Sequence, residues 1–404
     1  MIKVKTYLET TARLIMLAGV FFSYLPNYSF AVTKDSIIDA IDYKLLVREY
    51  TIPGTLRGGG GSLVIKDNTI IYARAQNDFV GIDLNEFKSK NIKHNSSSER
   101  LLILKENFLP KIITNESSLA RSGRYPSPEF LPKIEDFLYY DGAFYCTHTF
   151  YDSSSDDIFF MVSMLREGEF AWKTIFRSPA LDAPYLAKGI GGALAAKDRV
   201  LFVSVGDFSL DRVNGLPNDL ASQNPTLPWG KILAIELFGE YPYSIFSMGH
   251  RNPQGLLFLA NGKLLESEHG PRGGDELNII DKGGNYGWPY LSYGTQYGTQ
   301  LPYSRNIPPP ADGIKFIEPL YAFLPSAAIT GMSQLQGFSK KWDGDVILGS
   351  LKAQSLFRVR IIKNRVLFVE PLLVSHRVRK VRQHRNFIYV LTDFGTILRV
   401  QILK

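Results

Sequence analysis

Six short polar turns recur along this chain, and each is followed directly by an apolar, strand-like run. The turns are Asp67-Asn68, Asp141-Gly142, Asp198-Arg199, Asn261-Gly262, Asp343-Gly344 and Arg385-Asn386. Beyond the N-terminal 31 residues, no long segment shows the 3.6-residue periodicity of an amphipathic helix. Repeated four-strand units that bury their faces against one another are typical of β-propellers. We therefore predict an all-β chain folded as a six-bladed β-propeller; a β-sandwich would explain the six copies poorly.

Composition agrees with one large β domain. The chain has 404 residues, of which 45% are apolar, so a sizeable core can form without disulfide bonds. Its 21 tyrosines and 26 phenylalanines favour strands. Cys146 is the single cysteine, which excludes an intrachain disulfide. We predict a single propeller domain over residues 32–404.

The formal net charge of +7 does not by itself indicate a nucleic-acid partner. Basic residues are scattered except in the run RVRKVR at 377–382, where they alternate with valines. A nucleic-acid reader usually shows a continuous basic face. The alternation predicts instead a strand with one charged face, and we expect no nucleic-acid binding.

Residues 1–31 have the features of a secretory signal peptide. Lys3, Lys5 and Arg13 give a positive start, an apolar centre follows at 14–24, and Ser29-Phe30-Ala31 fits a small-x-small cleavage pattern. The apolar centre is short for a transmembrane span, so an uncleaved anchor is the weaker alternative. We predict a bacterial periplasmic or secreted protein without stable membrane insertion.

One stretch, residues 249–288, combines two dense polar segments with a hairpin between them. His250-Arg251-Asn252 precedes an apolar run, Asn261-Gly262 signals a type I′ turn, and the second strand leads into residues 266–276. Gly and Pro around the polar segments let backbone groups approach a ligand closely. This arrangement indicates a binding site.

The same stretch resembles the soluble glucose/sorbosone dehydrogenases, the pyrroloquinoline-quinone (PQQ) aldose sugar dehydrogenases. The motifs are GHRNPQG at 249–255, EHGPRGGDELN at 268–278 and NYGWP at 285–289. Weaker matches extend the resemblance over about 185–400, whereas the first third matches poorly. The resemblance implies a six-bladed propeller that oxidises an aldose sugar at the anomeric carbon to the lactone, with PQQ and calcium as cofactors and an unidentified electron acceptor.

The resemblance also implies roles for individual residues. The residues at the family's cofactor-contacting positions are Asp207, Arg251, Asn252, His269, Lys352, Arg377 and Arg379. Arg251 is expected to be catalytic as well, because the family uses an arginine to polarise the quinone oxygens. Gly270 and Pro271 match the backbone carbonyls that hold calcium. Asp275 either supports the calcium waters or only shapes a turn.

The catalytic base is where this chain departs from the family. The family writes His-x-Gly-Gly-Arg-Leu, whereas this chain has Gly189 at the histidine position and Ala193 at the arginine position. Glycine cannot accept a proton. None of the six histidines, His94, His148, His250, His269, His376 and His384, is adjacent in sequence. If another group serves as base, Lys188 and His269 are the first candidates.

Two hypotheses from different classes follow. The first is a PQQ-dependent sugar dehydrogenase, weakened by the loss of its base. The second is a non-catalytic secreted propeller that binds a ligand or a protein partner. Hydrolase motifs such as Gly-x-Ser-x-Gly and His-Glu-x-x-His are absent from the sequence.

Overall fold

A computed structural model of the protein describes residues 29–31, 34–52, 61–74, 78–84, 100–106, 109–112, 133–152, 154–155, 157–182, 189–211, 220–302, 304, 307 and 309–403. Over these residues the chain forms strands joined by turns and contains no α-helix. None of them therefore belongs to a helix that could cross a membrane. The predicted leader lies outside the described residues except for Ser29–Ala31. It stays a prediction.

The strands form six sheets. Blade 1 contains β4 (Ser62–Lys66), β5 (Thr69–Ala73), β6 (Phe79–Asp83) and β7 (Arg100–Glu106), with β1 (Ser29–Ala31) at its outer edge. Blade 2 contains β8 (Ile134–Tyr140), β9 (Ala143–Asp152), β10 (Asp157–Arg166), β11 (Lys173–Arg177) and β12 (Leu181–Asp182). Blade 3 contains β13 (Gly191–Lys197), β14 (Val200–Val205), β15 (Lys231–Glu236) and β16 (Tyr243–Met248).

The remaining blades follow the same order. Blade 4 contains β17 (Pro253–Phe258), β18 (Leu264–Glu268), β19 (Asp275–Ile280) and β20 (Tyr321–Phe323). Blade 5 contains β21 (Ile329–Gln334), β22 (Val346–Ser350), β23 (Ser355–Ile362) and β24 (Arg365–Leu373). Blade 6 contains β25 (Val378–His384), β26 (Phe387–Thr392) and β27 (Thr396–Ile402), completed by β3 (Lys44–Thr51) and β2 (Lys34–Asp39).

The first strands of the blades make a closed ring. Around it β4, β8, β13, β17, β21 and β25 each contact the next, and β25 returns to β4. Blade 6 closes the ring, because its β27 pairs antiparallel with β3 from the N-terminal part of the chain, for example Ile397 with Tyr50. The prediction of an all-β, six-bladed propeller is confirmed.

The core is divided among the blade interfaces. Six hydrophobic clusters of described residues each join two neighbouring blades. Alternation along a strand explains this division, since Leu194 packs toward blade 2 while its neighbours Ala193 and Ala195 pack toward blade 4. Both faces of each blade are thus buried, which is why the strands read as apolar runs.

The six repeated turns join the first and second strands of the six blades. Asp141-Gly142 and Asp198-Arg199 have positive φ at both central residues, as a type I′ turn requires. The predicted type I′ turn at Asn261-Gly262 is wrong, although the hairpin is present. Only Gly262 has positive φ there, and its amide donates to Leu259 O at 2.8 Å.

Part of the basic run at 377–382 faces the inside of the propeller. Lys380 and Arg382, on the first strand of blade 6, place nitrogens 3.1 and 3.6 Å from Asp136 Oδ1 on the first strand of blade 2. Ser62 of blade 1 donates to the same oxygen at 2.7 Å. The charged face of the strand therefore ties three inner strands together.

Candidate functional site

A cavity of about 810 Å³ opens at one end of the ring. In an antiparallel blade, the start of the first strand and the end of the second lie at the same end. Asp207, His269 and Lys352 all lie within two residues after the second strand of their blades, and Arg251-Asn252 directly precedes β17. The propeller therefore brings positions far apart in sequence to one cavity. The predicted residues that line it are Asp207, Arg251, Asn252, His269, Gly270, Pro271, Asp275, Lys352 and Arg379, together with Gly189.

The hairpin of blade 4 holds Arg251 in place. Pairing of Pro253 with Glu268 aligns the two polar segments, and the Arg251 amide donates to Glu268 Oε2 at 2.9 Å. Its Nη1 donates to His269 O and Gly270 O, both at 2.8 Å. The guanidinium carbon lies 5.4 Å from the Trp288 ring centroid. A charge fixed in this way is preorganised for an anionic or electron-rich ligand.

Asn252 connects blades 3 and 4 at the floor of the cavity. Its Oδ1 accepts from the Gly191 amide at 3.2 Å and from Gln254 Nε2 at 2.8 Å. Its Nδ2 lies 3.3 Å from His269 Nδ1. Burial lowers the pKa of His269 to about 4, so this imidazole is neutral at physiological pH. A group with so low a pKa is a poor proton acceptor there, which weakens His269 as a candidate base.

The structure separates the two arginines of blade 6. Arg379 lines the cavity, and its Nε donates to Asp393 Oδ1. Arg377 Nε donates to Asp393 Oδ2 at 2.8 Å, but its side chain is 40% exposed and does not line the cavity. A register shift between Val378 and Lys380 breaks the simple alternation that would put both arginines on one face. Arg379 therefore reaches the same cavity as Arg251 and Lys352, whereas Arg377 does not.

The family's base position holds no side chain that could accept a proton. Gly189 has φ +79°, and a Cβ added there would lie 2.5 Å from Asp207 Oδ1. The Asp207 carboxylate therefore occupies the space next to this backbone. Ala193 is fully buried in the apolar cluster between blades 3 and 4. Lys188, the other candidate base, lies outside the described residues.

Asp207 is held rigidly at the edge of the cavity. Its Oδ1 accepts from the Ser209 amide at 2.9 Å and its Oδ2 from Trp288 Nε1 at 3.0 Å. Burial raises the pKa of Asp207 to about 7, against the opposing effect of Arg251. A carboxyl whose pKa lies near neutrality can both accept and return a proton.

The cavity lining suits an anionic ligand with several carboxylates, because its five basic side chains outnumber its three acidic ones. The basic residues are Lys133, Arg251, Arg272, Lys352 and Arg379, and the acidic ones are Glu135, Asp207 and Asp275. The carbonyls expected to hold calcium suit that ion less well. Gly270 O accepts from the Arg251 guanidinium at 2.8 Å and Pro271 O accepts from the Tyr297 hydroxyl at 3.2 Å. The guanidinium charge would repel a cation at Gly270 O. As the side chains stand, calcium does not fit at Gly270 and Pro271; the calcium prediction stays untested and no step below depends on it.

Sequence reasoning missed several lining residues. Lys133 and Glu135 lie at the start of the first strand of blade 2, in the poorly matching third of the chain. The blade repeat itself could have found them, since Arg251 and Arg379 occupy the same place in blades 4 and 6. Gln296, Tyr297 and Ser326 come from the long connections around the fourth strand of blade 4, for which no local signal exists.

Comparisons with known proteins place the chain in a family. A model of the family described as Glucose / Sorbosone dehydrogenase matches residues 142–399, more than half of the chain. Aldose sugar dehydrogenase YliI of Escherichia coli (strain K12) is 30% identical over 56% of this chain and 64% of that protein. Quinoprotein glucose dehydrogenase B of Acinetobacter calcoaceticus is 27% identical over 50% of this chain and 58% of that protein.

The chain thus spans less than two thirds of the length of these relatives. Among solved structures, a crystal structure of glucose dehydrogenase superposes with a TM-score of 0.66 at 22% identity, covering 86% of this chain and 98% of that one. At that identity the likeness shows the fold alone.

Proposed function

Because this chain belongs to the Glucose / Sorbosone dehydrogenase family, we propose that it oxidises an aldose sugar at the anomeric carbon to the lactone, with PQQ bound in the cavity. One observation carries the proposal. Arg251, Lys352 and Arg379 come from three different blades and line one cavity, which a ligand with three carboxylates would need.

When bound, PQQ would supply the two-electron oxidant for the hydride on C1 of the sugar. The C1 hydroxyl would also have to lose its proton for the C1–O bond to become the lactone carbonyl. Arg251 is fixed by the His269 and Gly270 carbonyls, so its charge can polarise an oxygen of the cofactor without reorganisation. The chain must also supply the group that takes the hydroxyl proton.

Asp207 is the group we assign to that task. Its carboxylate fills the space beside Gly189, where the family keeps its histidine, and it lines the cavity. Its pKa of about 7 leaves a substantial ionised fraction at neutral pH. Both oxygens already accept hydrogen bonds, from Ser209 and Trp288, which lowers their basicity and agrees with a weakened enzyme.

The same two hydrogen bonds favour the second candidate function. A carboxylate that is 3% exposed and bonded at both oxygens could be purely structural. In that case the propeller binds a polycarboxylate ligand, or a protein partner, without oxidising a sugar. The predicted leader sequence supports a periplasmic or secreted location under either function, and under the first an external electron acceptor must reoxidise the cofactor.

The experiment that separates the two functions uses the full chain loaded with PQQ. Under the first function, the absorbance of the bound quinone falls when an aldose such as glucose is added, and the lactone forms in equal amount. A matched pair of variants, Asp207→Asn at the site and Asp312→Asn on the surface, assigns the proton acceptor. Quinone that stays oxidised with every aldose tested leaves only the second function, and failure of PQQ to bind overturns the assignment of the pocket to that cofactor.

A further inference from the structure

A buried square of four polar side chains lies between blades 3 and 4, beside the cavity. Glu266 and Glu268 alternate on β18 and therefore point to the same face. Opposite them on β19 lie Asn278 and Glu276, in the pairs Glu266–Asn278 and Glu268–Glu276. We call these four residues the acidic square. Further along the same face lies the pair Leu264–Ile280, which belongs to the apolar cluster of this interface.

The acidic square holds three buried carboxyls close together. Glu266 and Glu268 are 0% and 4% exposed, and Glu276 is 8% exposed. Like charges directly opposite on neighbouring strands destabilise a sheet, and isolated buried charges are costly. Among the described residues, no lysine or arginine forms an ion pair with any of these three glutamates. Burial raises the pKa values of all three carboxyls, to about 7 for Glu268 and about 9 for Glu276.

His250 faces the square with a free nitrogen. Its ring is 0% exposed and stacks on Tyr286 at 4.8 Å, and its Nε2 lies 2.9 Å from Ser247 Oγ. Its Nδ1 lies 3.9 Å from Glu268 Oε2 and has no hydrogen-bond partner among the described residues. Burial lowers the pKa of His250 to about 3, so the ring is neutral and cannot balance the carboxylates as a cation.

Two further polar atoms of the square are buried without a partner in the described part of the chain, Glu266 Oε1 and Asn278 Oδ1. One ligand atom each from His250, Glu266 and Glu268 can be chosen so that all lie within 4.8 Å of one another. Ligands of a first-row divalent ion lie about 2.0–2.2 Å from it, so a small side-chain rotation would complete the set. A mixed imidazole and carboxylate set suits Zn²⁺ or Mn²⁺.

We propose that His250, Glu266 and Glu268 bind a first-row divalent cation such as Zn²⁺ within blade 4, with Glu276 and Asn278 as supporting groups. The cation neutralises the acidic square and ties the Arg251 backbone, through Glu268, to the blade interface. A small cavity of about 10 Å³, lined by Glu268 and Glu276, lies between the square and the main cavity. That volume is about what one water or ion needs. This site uses neither the Gly270 nor the Pro271 carbonyl as a ligand and does not depend on the oxidation of a sugar.

Zn²⁺ binding to the full chain, stripped with a chelator and free of PQQ, tests the proposal by calorimetry. We expect one tight site per chain, and a rise of the melting temperature with Zn²⁺. Glu266→Gln, which keeps the shape of the side chain, should weaken binding by about tenfold or more, because loss of even an outer partner typically costs 10–100-fold in metal affinity. Glu240→Gln, an exposed residue with the same change of charge, should bind as wild type does.

His250→Gln supplies the second variant, in case Glu266→Gln does not fold. With Co²⁺ as the probe, the visible bands of a nitrogen-containing ligand set should be present in wild type and altered in His250→Gln. Two outcomes overturn the proposal. One is absence of Zn²⁺ and Mn²⁺ binding in wild type, with Glu266→Gln more stable than wild type, which would mean that the carboxyls share protons. The other is binding that neither variant weakens.

Discussion

The two sides of the cavity differ in the side chains that they contribute to it. On the side of blades 4, 5 and 6, Arg251, Lys352 and Arg379 line the cavity. On the side of blade 3, Gly189 carries no side chain and Asp207 fills the space beside it. Under the proposed function, the comparison teaches that ligand binding and proton removal are carried by different blades, so that one can change while the other is kept.

The largest effect should come from the blade 3 side. Asp207→Asn removes the proposed proton acceptor while keeping the shape of the side chain. We expect the turnover of a bound aldose to fall by about two to four orders of magnitude, the usual contribution of general base catalysis. Quinone absorbance during a single turnover measures it. Unchanged turnover would mean that Asp207 is structural and would move the search to Lys188.

The pH profile should show the same group. A carboxyl acts as a base only when ionised, and burial raises the pKa of Asp207 to about 7, with Arg251 and Asp211 acting on it in opposite directions. Turnover should therefore rise with pH through about 7 and then level off, being roughly a hundredfold lower two pH units below that value. Burial also raises the pKa of Glu268 to about 7. The profile is therefore measured in Asp207→Asn as well, so that the two carboxyls can be told apart. A profile that is flat from pH 5 to 8 contradicts the assignment.

On the other side of the cavity, substitutions should change affinity rather than rate. Lys352→Met removes one of the five basic side chains that line the cavity. The PQQ dissociation constant should rise by about tenfold to a hundredfold, since a hydrogen bond to a charged group contributes roughly 1.5–3 kcal/mol. Arg377→Met is the matched control from outside the cavity, and we expect less than about a threefold change. Equal effects of the two changes would contradict the separation of Arg377 from the site.

The smallest expected effect concerns Gly189 itself. Gly189→Ala places a Cβ 2.5 Å from Asp207 Oδ1 at φ +79°, whereas Gly168→Ala meets nothing within 4 Å at φ +85°. Both changes carry the strain of a left-handed residue, about 1–2 kcal/mol. Gly189→Ala should lower the free energy of unfolding by a further ~1 kcal/mol, because Asp207 must move. Urea unfolding of both variants measures the difference. It follows that a histidine restored at position 189 would displace Asp207 before it could act as a base.

The sequence predicted features that depend on local chemistry. The six turns are readable because Asp, Asn and Gly favour the backbone conformations that tight hairpins need. Arg251 and His269 could be placed together because one hairpin carries both. Features set by contacts between blades could not be read in this way. The approach of Asp207 to Gly189 depends on a left-handed backbone at Gly189. The exclusion of Arg377 from the cavity depends on a bulge in β25. The pairing of Asp136 with Lys380 depends on closure of the ring.

Turnover at saturating PQQ, measured side by side for Lys352→Met and Asp207→Asn, tests most directly whether binding and proton removal lie on separate sides of the cavity. Excess cofactor overcomes a loss of affinity but cannot replace a missing proton acceptor. We predict that Lys352→Met regains the turnover of wild type and that Asp207→Asn stays slower by about a hundredfold or more. Recovery of both variants, or of neither, would contradict the account.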